Sequence, residues 1–167
     1  MIAVADASPL CYLILIGEID LLSKLFLRVL VPQAVIAELL HEDAPEAVRS
    51  WAANLPAWIG ATENPLLATT GMEKLQAGEQ AAILLAESMK ADIILFDEKA
   101  ARGVAADRGL RVTGLLGVLG EAATRGLIEL APVIDRLRMT SFRASPGSAE
   151  GDSRPLWPVR LRGCYVQ

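Results

Sequence analysis

Short apolar runs that end on an acid alternate along this chain with longer stretches of helical period. Ile2 to Ala5 read as a buried strand stopped by Asp6. Ser8 and Pro9 then fall as N-cap and first helical residue of a helix that Leu10 to Ile16 continue and Gly17 ends. The pattern predicts a second helix over Ile19 to Phe26, a strand over Arg28 to Val31, a helix from Pro32 to about His41, and another from Ala44 to Asn54. Residues 56–65 read as loop with one short strand at Trp58 to Ala61, and Leu66 to Leu75 fits no single element. Ala77 to Met89 is helical, Asp92 to Asp97 is an apolar strand bounded by acids, and a helix from Glu98 to about Asp107 stops at Gly109. Leu110 to Val112 forms a last strand, with helices over Leu115 to Arg125 and Ala131 to Thr140. Strands separated by helices build βαβ units, so the expected fold is a three-layer α/β/α arrangement around a mostly parallel sheet.

Periodicity disappears from Ser145 onward. Residues 1–145 therefore read as one domain and residues 146–167 as a flexible C-terminal tail, in which Trp157, Val159, Leu161 and Tyr165 are the side chains fit for docking. With 167 residues, 53% of them hydrophobic, the chain has enough apolar material for a real core. Asp6 and Glu18 interrupt the N-terminal apolar stretch before it reaches the ~18 to 20 residues of a membrane span. That stretch also lacks a basic leader region, because the first Lys or Arg is Lys24. Cys11 and Cys164 lie at opposite ends and offer neither a metal-ligand spacing nor a disulfide framework. A cytoplasmic protein with no membrane partner is the expectation.

The formal net charge of −4 hides an asymmetry. Residues 1–100 carry 14 acids and 6 bases, net −8, whereas residues 101–167 carry 6 acids and 10 bases, net +4, every base an arginine. Such a chain can hold cations in one place and phosphates in another.

Four acids stand where acids are costly or conspicuous. Asp6 and Asp97 end apolar strands, at the sheet edge where open α/β folds place their ligand sites. Asp97 also stands where it can cap the following helix, whereas Ser8 leaves Asp6 without that duty. Glu79 shares a helix face with Ala82, Ile83 and Ala86, and Glu38 one with Ala34 and Val35. Gathered at one end of the sheet, such carboxylates raise one another's pKa. Divalent cations relieve that conflict, and an oxygen-only ligand set favours Mg2+ or Mn2+.

The stretches Val4 to Leu10, Val31 to Leu39, Leu75 to Ala82 and Ile94 to Arg102 resemble those of PIN-domain ribonucleases, of the kind found as VapC-like toxins. The run Gly114 to Gly120 through Gly126-Leu127-Ile128 resembles a PIN subgroup of largely uncharacterised proteins. The likeness covers about residues 1–145. It implies that Asp6, Glu38, Glu79 and Asp97 are catalytic metal-site acids and that Ser8 supports them. It also implies an RNA substrate, a cognate antitoxin and a homodimer. Glu79 stands where the wider family often has Asp. RNA must lie beside an acidic pocket, so flanking cations are needed, and Arg102, five residues after Asp97, with Lys99 one turn before it, are the candidates.

Other readings fit less well. Gly114, Gly117 and Gly120 are three residues apart, which suits close helix packing and not the Gly-x-Gly-x-x-Gly of dinucleotide sites. A haloacid-dehalogenase-like phosphatase needs an acid where Ser8 stands, and no mid-chain Asp is flanked as in a phosphorylated receiver. The remaining rival is a catalytically weak or silent PIN-fold binding module.

Overall fold

All five strands expected from the pattern pair in one sheet. In the computed structural model, which describes residues 1–65 and 70–142, the order of elements begins β1 (Ile2–Ala5), α1 (Ala7–Leu15), α2 (Leu21–Leu25) and β2 (Arg28–Pro32). There follow α3 (Gln33–Leu39), α4 (Glu46–Ala53), β3 (Ile59–Thr62), α5 (Ala77–Ser88) and β4 (Ile93–Leu95). Then come α6 (Lys99–Asp107), β5 (Val112–Thr113), α7 (Leu115–Thr124) and α8 (Leu130–Arg138). The strands lie in the order β3-β2-β1-β4-β5, every pair parallel. The expected tail, and the part of the ambiguous stretch at 66–69, lie outside the described residues.

Period-2 alternation inside the strands divides the core into two. Ala3, Ala5, Val29, Val31, Ile93 and Leu95 face a layer that includes Leu10 and Leu13 of α1, Val35 of α3 and Val118 of α7. Val4, Leu30, Ile94 and Phe96 face the other layer, built on Ile83 and Leu85 of α5 and Ala101 and Ala105 of α6. Strands buried on both faces read as continuous apolar runs, and helices cover the sheet on both sides.

Element ends depart from expectation for identifiable reasons. The N-cap of α1 is Asp6, in extended conformation, so Ser8 belongs to the first helical turn instead of capping it. Pro9 is still tolerated, because first-turn N–H groups lack helical partners anyway. Pro32 ends β2, paired with Thr62, and caps α3, which begins one residue later. Gly17 and Gly109 take positive φ of 74° and 80° just beyond α1 and α6, the left-handed exit expected of them. The strand at 92–97 shortens to three residues. The Asp92 carboxylate accepts the Ile2 N–H at 2.6 Å while its own N–H donates to the Ile2 carbonyl at 2.9 Å, pinning the entry of β1.

At the far end of the described chain, Phe142 packs edge-on against Tyr12 of α1, ring centroids 5.0 Å apart, and the Tyr12 hydroxyl meets Ser141 Oγ at 3.3 Å.

The glycine spacing of α7 divides by position. A methyl group at Gly117 would overlap Thr113 Oγ1, as close packing demands, whereas one at Gly120 would meet nothing within 4 Å. Gly103, inside α6, is equally open. Gly103→Ala and Gly120→Ala should each raise stability by ~0.5 to 1 kcal/mol through the lower backbone entropy of alanine, measured by urea denaturation. Gly117→Ala should lower it, and equal shifts in all three variants would contradict this packing.

Candidate active site

The strand order reverses direction at β1, which has β2 on one side and β4 on the other. Such a switch point opens a crevice at the carboxyl edge of the sheet. Asp6 follows β1 directly and Asp97 lies two residues beyond β4, with the Asp6 N–H donating to the Leu95 carbonyl at 3.2 Å. Helices that follow parallel strands begin at this same edge, so their unpaired N–H groups converge on it.

Each acid is tied to one of those helix starts. Asp6 is buried, and desolvation, reinforced by Glu38 and Glu79, lifts its carboxyl to about 7 against the pull of the Ala7 and Ser8 amides. Glu38, on α3, is also raised by burial, with the Gly78 N–H lowering it and Glu79 adding to the rise. Glu79 is buried on α5 and folds back so that Oε2 accepts the Gln76 N–H at 2.9 Å. That bond answers how an acid survives on an apolar face. Asp97 Oδ1 accepts the Leu115 N–H at 2.8 Å, while Oδ2 is buried without a partner. Burial raises the Asp97 carboxyl, and Leu115 and Arg102 draw it back down. Asp97 does not cap the helix after it, since the N-cap of α6 is Glu98.

Asp6, Ser8, Glu38 and Glu79 line one cleft of about 260 Å³. Asp97, Lys99 and Arg102 are not part of its wall. Lys99 is exposed, whereas the Arg102 guanidinium turns inward to the Phe96 carbonyl at 3.3 Å. The wall also includes Lys74 and Glu98, which the pattern of the chain did not single out. Glu98 was legible as the neighbour of a strand-end acid, but Lys74 sits in a stretch without period.

Among the described residues, no three His, Cys, Asp or Glu side chains stand together as a ready-made metal cage. The donor set nonetheless suits a hard divalent cation. It is all oxygen, Asp6 is buried among like charges, and Asp97 Oδ2 has no hydrogen-bond partner.

The raised carboxyl of Asp6 has a definite sign. Its folded value of about 7 exceeds the ordinary 3.8, so its stabilising contribution is complete below pH 3.8 and is lost as pH rises toward 7. With chelator present, the wild type should lose a few kcal/mol across that window, and Asp6→Asn should lose clearly less. Denaturation midpoints at several pH values decide it, equal pH slopes counting against the burial-driven shift.

The model of the DUF3368 family, described as a PIN domain, matches residues 2–151. No curated protein matches the chain. Among solved structures it is similar to a PilT N-terminus domain protein from the hyperthermophilic archaeon Sulfolobus solfataricus P2, with a TM-score of 0.55 and 12% identity. That match covers 73% of this chain and 93% of the other, a likeness of fold. With the family match spanning nearly the whole described chain, and a parallel sheet carrying buried acids at its switch point, this protein belongs to the PIN-domain family, whose members are typically nucleases.

Proposed function

We propose that the protein is a Mg2+- or Mn2+-dependent endoribonuclease that hydrolyses phosphodiester bonds of single-stranded or structured RNA. It acts as the toxin of a type II toxin–antitoxin pair, restrained by a cognate antitoxin protein and working as a homodimer. The observation that carries the catalytic part is Asp6, buried at the end of the central strand and sharing a cleft with Glu38 and Glu79.

Asp6, Glu38, Glu79 and Asp97 would hold the ion. When bound, a divalent cation supplies Lewis acidity toward the scissile phosphate and lowers the pKa of water. The protein's own contribution is placement. Asp6 fixes the centre of the site because its backbone is locked to β4 through the Leu95 carbonyl. Glu38 and Glu79 bring charge to the same cleft from α3 and α5, and Ser8 borders that space as a polar support. Cations hold the flanking phosphates. Lys99 does so from the exposed start of α6, Arg102 from beside Asp97, and Lys74 from the cleft wall.

Asp6→Asn and Asp97→Asn should each abolish metal-dependent cleavage of single-stranded RNA while the fold is retained. Asn at 97 can still accept the Leu115 N–H, and each change removes one of several crowded charges. Wild-type rates in either variant would remove that residue from the site. If the wild type cleaves no RNA with either ion yet binds a protein partner tightly, the domain is a binding module. Mg2+ or Mn2+ at millimolar concentration should also raise the melting temperature, because the ion binds only the folded state. Absence of binding in calorimetry would count against a metal site at these acids.

A further inference from the structure

We propose that Gly78 and Gly114 are positioning residues, each leaving the space through which an acid of the site seats its carboxylate on a helix start, Glu38 on α5 and Asp97 on α7. The inference rests on the reading that these acids serve the cleavage site.

Neither glycine is required by the backbone, since the glycines with positive φ among the described residues are Gly17, Gly71, Gly109 and Gly126. Gly78 lies in the first turn of α5, with Gln76 as N-cap. Its N–H faces the Glu38 carboxylate, and a methyl group on its Cα would overlap that carboxylate. Any larger residue at 78 must push Glu38 off the helix start and out of its place in the cleft wall. Gly114 is the N-cap of α7, in extended conformation. A methyl group there would stand 2.6 Å from Asp97 Oδ1, 2.9 Å from an Arg102 guanidinium nitrogen and 3.0 Å from the Phe96 carbonyl. These distances are shorter than packed carbon and oxygen atoms keep. The two glycines lie on different helices and serve different acids. Both give a carboxylate close access to backbone N–H groups, the same use of absent side chains by which glycine lets a backbone approach a ligand.

A packing role and a positioning role separate in a double-mutant cycle run with chelator. In the Glu38→Ala background, Gly78→Ala should raise the melting temperature, because alanine favours the helix and the obstruction is gone. In the wild-type background, where the Glu38 carboxylate must swing aside, the same change should raise it less or lower it. Calorimetry with Mn2+ alone should show affinity reduced about tenfold or more by Gly78→Ala and by Gly114→Ala, as for groups that orient ligands. Gly120→Ala should leave it unchanged. Glu38→Asp, shorter by one methylene, should restore part of the affinity of Gly78→Ala. An equal melting shift in both backgrounds, or Mn2+ affinity untouched by Gly78→Ala in a protein that binds the ion, would overturn the proposal. A wild type that neither binds Mn2+ nor cuts RNA would refute the nuclease reading, and the cycle would still decide whether Gly78 seats Glu38.

Discussion

Carboxylates resting on the N-terminal amides of helices hold this site together. Four acids brought to one edge of a sheet, two of them buried and two partly so, cannot all stay charged without partners. Among the described residues Glu79 and Asp97 accept backbone N–H groups at the starts of α5 and α7, and the carboxyls of Asp6 and Glu38 are drawn down by amides at the starts of α1 and α5. The macrodipole of each helix adds to the N–H groups themselves. This arrangement needs parallel topology, in which every helix that follows a strand begins at the same edge. Antiparallel pairing would scatter the helix starts to both edges and leave the same acids unsupported.

The charge asymmetry of the sequence changes meaning once the chain is folded. Arg108 reaches back to Glu87 at 2.8 Å, and Arg136 pairs with Glu18 while its Nε donates to the Ile16 carbonyl at 3.0 Å. Arg125 pairs with Glu121 and Arg138 with Asp135 within their own helices. Exposed pairs of this kind contribute at most about 1 kcal/mol each. Their larger effect is to cancel field, so the arginine-bearing half is less electropositive than its composition. The cation in the cleft wall is instead a lysine from the acidic half, Lys74.

The strands were the most legible part of the sequence, because burial on both faces forces uninterrupted apolar runs such as Ile93-Ile94-Leu95. Asp6 and Asp97 were conspicuous for the same reason, each closing such a run. Capping was harder to read. Ser8 and Asp97 are both good capping types, yet Asp6 and Glu98 hold those positions, since a shift of one residue in a helix start depends on tertiary contacts at the sheet edge. Glu79 looked anomalous because helical spacing shows which face a side chain shares but not that it can turn back upon its own N-terminus. The spacing around Gly114 pointed to close helix packing, but nothing local marked it or Gly78 as the seat of a carboxylate, because the carboxylates they admit come from 17 and 40 residues away.

The contact of Phe142 and Ser141 with Tyr12 bears on how the molecule is handled at the bench. It places the end of the described chain against the outside of the helix whose N-cap is Asp6. A truncated form ending a few residues earlier would strip that helix of its outer brace, and a loss of activity in it would say nothing about the residues removed. A tag or fusion joined just beyond Phe142 would start beside Tyr12, which with Cys11, Ser8 and Glu38 also lines a groove next to α1.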